Sequence, residues 1–136
     1  MRYEYTNYLP GGTGKLIRRP MVGITIFGPS GSLRDFALVD SGADRTLFNI
    51  QVAQTLGIDL SHARKSFMHG IVGGKDALTV VIEIQPDHLD KITIPISFID
   101  SNSFSSLLGQ EGFFDQHRIK FEKDHNVFEI NPVRKK

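Results

Sequence analysis

The sequence predicts an all-β domain, a barrel or a sandwich. Three observations carry that prediction. Apolar and polar residues alternate with a period of two, as in "MVGITIF" (21–27) and "KITIPISF" (91–98). Clusters of turn-forming residues punctuate these runs about every eight to twelve residues. Only two segments have helical character, and both are short.

The elements follow in order. Residues 1–18 are weakly patterned and form an N-terminal arm with room to be flexible; 19–136 form a single domain. Val22, Ile24 and Ile26 share one face of a first strand. "GPSGS" (28–32) is a turn by composition, so the strand "RDFALVD" returns as a hairpin. Asn49 is a good helix N-cap and Gly57 a good residue just past a helix end. Ile50, Ala53 and Leu56 fall on one face between them, which predicts a helix over 50–56. Glycines at 70, 73 and 74 then separate an apolar lead-in from a strand over 78–84, a long hairpin with a glycine-rich tip. "PDHLD" (86–90) turns the chain into a strand carrying Ile92, Ile94, Ile96 and Phe98. Pro95 inside it predicts an edge or a bulge, because proline has no N–H for the ladder. After the polar loop "SNSFSS", "LLGQEGFFDQH" gives an apolar pair, a glycine and a short helix. A last hairpin turns at Asp124-His125-Asn126.

Bulk properties exclude several functions. A length of 136 residues suits one domain with its own core. The net charge of +1 offers no field for nucleic acid or an anionic membrane. Arg18-Arg19 and Arg134-Lys135-Lys136 read as solvated ends, with no aromatic residues interleaved. There is no cysteine, which removes disulfides, thiolate metal sites and cysteine nucleophiles. No apolar stretch is long enough to span a bilayer and no signal-peptide core is visible, so a cytoplasmic location is expected.

The sequence offers five kinds of candidate site. "PGGTGK" (10–15) fails as a phosphate loop, because Leu9 stands where the first glycine belongs. His62, His69, His88, His117 and His125 are scattered without ligand spacing, so no metal is expected. A serine-histidine-aspartate triad lacks its Gly-x-Ser-x-Gly turn. The remaining candidates are the glycine-rich tip and Asp40. Asp40 ends the apolar run Phe36-Ala37-Leu38-Val39 and precedes Ser41-Gly42-Ala43. A carboxylate ending a buried strand loses hydration unless something shares its charge. The plain alternative is that Asp40 caps a local turn through its own side chain. The residues alone leave both open.

Three features together resemble the retropepsins, single-domain aspartic proteases, and their bacterial relatives. Leu38-Val39-Asp40-Ser41-Gly42-Ala43 matches the family's apolar-apolar-Asp-Ser/Thr-Gly-Ala motif. "MHGIVGGK" (68–75) matches its glycine-rich flap. Leu107-Leu108-Gly109 matches its second apolar-apolar-Gly motif, which leads into a helix. The resemblance covers about residues 19–121, and the chain beyond it resembles the bacterial members.

The resemblance implies a closed or partly open β-barrel of the acid-protease half type, with two short helices. It implies an aspartic endopeptidase acting on extended polypeptide. One motif per chain implies a homodimer, with Asp40 of each copy sharing a proton. Ser41 would support the pair, Gly42 would meet the substrate backbone, and Ala43 and Asp44 would line the cleft. Gly70, Ile71, Val72 and Gly73 would close over the substrate. No cofactor is implied. Viral members pair an arginine after the second glycine with the aspartate at the position of Asp44. Here that arginine is replaced by Gln110, which leaves Arg45, Arg118 or a plain hydrogen bond as alternatives. Two other readings compete. One is a non-catalytic peptide- or protein-binding module on the same scaffold. The other, a nucleotide hydrolase, predicts a clustered metal site that the sequence does not show.

Overall fold

The computed structural model describes residues 1–8, 14–68, 74–101 and 106–133. The first three strands are β1 (Arg2–Glu4), β2 (Thr6–Tyr8) and β3 (Ile17–Arg19). Next come β4 (Met21–Gly28), β5 (Gly31–Val39), β6 (Leu47–Asn49) and the helix α1 (Ile50–Leu56). β7 (Arg64–Met68), β8 (Lys75–Pro86), β9 (Ile92–Ile99) and β10 (Leu107–Leu108) follow. β11 (His117–Glu122) and β12 (Val127–Pro132) complete the set.

Six strands close into a barrel, in the order β4, β5, β10, β6, β9, β8, with β8 pairing back onto β4. Closure is made by Ile24, Thr25 and Ile26 against Pro86, Gln85 and Ile84. β7 hangs outside on β8. A separate sheet in the order β1, β12, β11 lies alongside, and β2 pairs with β3. The first residues of the expected N-terminal arm are thus laid into sheet structure.

The alternating pattern fills the barrel. Val22, Ile24 and Ile26 of β4 meet Ile82 and Ile84 of β8 and Ile94, Ile96 and Phe98 of β9, all buried. Phe48 and Phe98 touch edge to face at 6.4 Å between ring centres. Truncating either ring would cost about 3–5 kcal/mol by lost transfer energy and the hole left behind. On β5, however, the apolar run buries only alternate residues. Ala37 and Val39 are inside, while Phe36 is 57% exposed.

Local signals account for the turns. Asn49 accepts a hydrogen bond from the Gln51 N–H at 2.9 Å, and Gly57 closes α1 in the left-handed conformation. Pro95 is tolerated because β6 pairs with β9 only at Ser97, Phe98 and Ile99. At Pro95 the strand has one ladder partner, Val81 of β8. The expected second helix is a single irregular turn, Gln110–Phe114. Glu111 has extended backbone angles and Gly112 has φ 85°. A Cβ at Gly112 would lie 2.8 Å from the Ile94 side chain, so this turn lies against β9 only with glycine there.

A polar corner ties the outer sheet to the barrel. Arg34 of β5 holds both carboxylate oxygens of Asp87, just beyond β8. The Tyr3 hydroxyl donates to the Asp87 carbonyl, and the Tyr3 ring stacks on Phe128 of β12 at 5.3 Å. Burial, with the Asp87 charge nearby, pushes the Tyr3 phenol up to about 12.

Candidate active site

The chain between β5 and β6 carries the acidic motif. These two strands do not pair with each other. β10 runs between them, parallel to β5 (Leu107 beside Leu38, Leu108 beside Val39) and antiparallel to β6 (Leu107 beside Leu47). The two sequence motifs, far apart along the chain, therefore meet side by side. The Asp40 N–H donates to the Leu108 carbonyl at 3.0 Å, and the Leu38 N–H to the Ser106 carbonyl at 2.8 Å.

Gly109 makes this crossing close. A Cβ there would lie 2.2 Å from the Arg45 carbonyl oxygen and 2.8 Å from that of Ala43. Its N–H donates to the hydroxyl of Thr46, which is buried. The next two residues continue the clamp: the Gln110 N–H donates to the Ala43 carbonyl, and the Glu111 N–H to the Asp44 carbonyl, at 2.8 and 2.9 Å. The Gln110 side-chain amide donates to the Ser41 carbonyl at 2.7 Å. The loop backbone is thereby fixed at Asp40, Ser41, Ala43 and Asp44.

The side chains on this loop are less occupied. Asp40 is half-buried, and its Oδ1 accepts from the Gly42 N–H at 2.9 Å. The Ala43 N–H donates to the Asp40 carbonyl at 3.1 Å. This is an Asx-type turn, so the plain alternative for Asp40 is present in the geometry. It uses one carboxylate oxygen. Among the described residues nothing donates to the other, and no cation pairs with Asp40. Ser41, Gly42 and Asp44 are exposed, and Ala43 is half-buried.

The three alternatives for Gln110 resolve differently from each expectation. Arg45 turns away and donates to the Ser66 hydroxyl of β7 at 2.7 Å. Arg118 lies on β11, in the other sheet. Gln110 does make a hydrogen bond, but to Ser41 and not to the Asp44 carboxylate. Thr46, the acceptor under Gly109, carries no signal in the sequence, since a threonine after Arg45 has no marked spacing.

The flap residues Gly70, Ile71, Val72 and Gly73, and His69 beside them, lie outside the described residues. The arms on either side are described: Met68 pairs with Lys75 and Phe67 with Asp76. At the base of the tip, a Cβ on Gly74 would lie 2.2 Å from the Phe67 ring.

The other titratable groups sit elsewhere. Among the described residues, no group of histidine, aspartate and glutamate side chains is arranged to hold a metal ion. His62, His88 and His125 are exposed. His117 is buried, stacked on Phe113 at 4.6 Å, with its Nδ1 donating to the Phe113 carbonyl at 2.9 Å. Burial lowers its pKa. It lines a cavity of about 270 Å³ with Asp90, Asp115 and Pro132, and no residue of the acidic motif reaches it. No described helix is long and apolar enough to cross a membrane.

No protein-family model matches the chain, and no curated protein matches its sequence. The functional reading therefore stands on the motif residues and on how the barrel holds them.

Proposed function

We propose that this chain is one subunit of a homodimeric aspartic endopeptidase. The observation that carries the reading is Asp40 itself. A closed barrel delivers a carboxylate on a backbone clamped at four residues, with one oxygen left without a donor among the described residues. Such a rigid, half-satisfied acid suits a site completed by a second copy of the same residue.

In the dimer two Asp40 carboxylates face each other across a twofold axis and share one proton, because adjacent like charges do not both ionise. The ionised member takes a proton from a water as that water attacks the scissile carbonyl. The protonated member donates a hydrogen bond to the carbonyl oxygen. The proton then passes to the departing amine. Ser41 and Gly42 support the pair and meet the substrate backbone. Ala43 and Asp44 line the cleft.

Peptide hydrolysis between about pH 4 and 6, where such a pair holds one proton, tests the reading. Wild type cleaves, and Asp40→Asn loses at least about a thousandfold of the rate, in the range of a missing general acid–base group. Equal rates in the two proteins would sink it. The second reading, a peptide-binding module, is favoured by the self-contained turn that Asp40 forms with Gly42. It predicts a stable monomer in sedimentation that binds extended peptide without cleaving it.

A further inference from the structure

We propose that His117 is a positioning residue for the acidic loop, and that it releases the loop when its own imidazole gains a proton. The inference concerns the backbone of that loop and holds whether or not Asp40 hydrolyses peptides. His117, the first residue of β11, is 5% exposed. Its Nδ1 donates to the Phe113 carbonyl at 2.9 Å, and its ring stacks on the buried Phe113 ring at 4.6 Å. Phe113 belongs to the turn Gln110–Phe114. The start of that turn is the clamp, where the N–H groups of Gln110 and Glu111 donate to the carbonyls of Ala43 and Asp44. One short turn thus has the acidic loop at one end and His117 at the other.

The tie suits one protonation state. A carbonyl partner requires the hydrogen on Nδ1, so in the neutral ring Nε2 carries none. A proton gained there puts a charge in a buried place. The charged groups on every side leave it unpaired. Asp90, ahead of β9, and Asp115, after the turn, line a cavity of about 270 Å³ with His117, yet among the described residues neither forms an ion pair with it. Lys91 approaches Glu83, and Glu111 approaches Arg64. Arg118, next on β11, is exposed. β12 and the residue after it bring Pro132 and Val133, which carry no charge. Burial lowers the His117 pKa against the opposing pull of the Phe113 carbonyl. The contribution of the neutral ring is therefore complete above the unfolded value of about 6.5, and is lost as pH falls through it toward the folded one. The cavity supplies the second state, an imidazolium turned toward Asp90 and Asp115 with the Phe113 carbonyl let go.

Amide hydrogen exchange of the full chain, read by NMR and corrected for intrinsic exchange, tests this. In wild type, protection at Gln110 and Glu111 falls about tenfold between about pH 7.5 and 5 relative to amides of the β8–β9 ladder, the factor that a one-unit difference in pKa carries. The His117 ring signals move with the same midpoint. His117→Asn keeps a donor near the Nδ1 position and does not titrate, so its protection stays level with pH. His117→Phe keeps the stack and loses the donor, so its protection is low at both ends. Wild-type protection that does not change with pH, or a change that persists in His117→Asn, overturns the inference. If neither variant folds, wild type alone decides: a ring midpoint that differs from that of the Gln110 and Glu111 amides overturns it. Peptide cleavage plays no part in these readings, so failure of the protease reading and failure of this inference are separate results.

Discussion

Asp40 and Asp87 occupy similar places. Each lies at or just past the end of a barrel strand, β5 or β8. Their surroundings differ completely. Asp87 has a full set of partners within the chain. Arg34 donates to both carboxylate oxygens, the Asp87 N–H donates to the Gly23 carbonyl, and the Asp87 carbonyl accepts from the Tyr3 hydroxyl. The Arg34 guanidinium holds its carboxyl below the usual carboxylate range. Asp40 has a firmly held backbone and, among the described residues, one hydrogen bond to its carboxylate. The same barrel finishes one aspartate and leaves the other unfinished. A carboxylate whose partners are all local serves the fold; one whose backbone alone is fixed is free for something that arrives from outside.

Removing each carboxylate in turn probes that contrast, and the largest effect is on activity. Asp40→Asn abolishes peptide hydrolysis under the proposed mechanism while leaving the denaturant midpoint within experimental scatter, since it breaks no ion pair. A clear loss of stability would instead make Asp40 a structural cap. Next comes the clamp. Gly109→Ala drives a Cβ against the Arg45 carbonyl and destabilises the fold by about 3 kcal/mol, the upper range for overpacking. Denaturant unfolding reads it directly.

Asp87→Asn is smaller and depends on pH. Its carboxyl pKa is lower folded than unfolded, so the stabilisation is present above the unfolded value and is lost as pH falls through the folded one. Urea midpoints of wild type and variant therefore differ at neutral pH and converge in acid. A constant gap would mean that the pair with Arg34 is not its source. The smallest change is Gln110→Ala, which removes one exposed hydrogen bond and costs about 0.5 kcal/mol. Its effect on hydrolysis should exceed that figure if the Ser41 carbonyl has to be held for Asp40 to be aimed.

Much of this arrangement was legible in the sequence because it is written locally. Asn49 and Gly57 bracket α1, and the alternation in 21–27 and 91–98 marks which faces turn inward. The order of Asp40, the glycine-rich tip and Leu107-Leu108-Gly109 drew attention to one acid among many. What was not legible is decided by distant partners. Strand patterning alone leaves barrel against sandwich open, because that turns on whether β8 pairs back to β4; the barrel was expected only from the resemblance, and the structure has it. Phe36 reads as core but faces outward, because a period of two matters more than four apolar residues in a row. The helix expected after Gly109 is broken at Glu111 and Gly112, and Gly112, with φ 85°, lies so close to Ile94 that a Cβ would not fit. The target of Gln110 depends on a carbonyl on the far side of a strand crossing.

The threading of β10 between β5 and β6 also fixes a sequence of events in time. β5 is in register with β4 and β6 with β9, but the two strands that flank the acidic loop have no direct ladder to each other and are bridged side by side only through Leu107 and Leu108. Long-range pairings of this kind form late, after the cost of closing the intervening chain has been met. The clamp on the loop at Asp40, Ser41, Ala43 and Asp44 thus waits on contacts among the last to form, so the aim of the acid is a late product of folding.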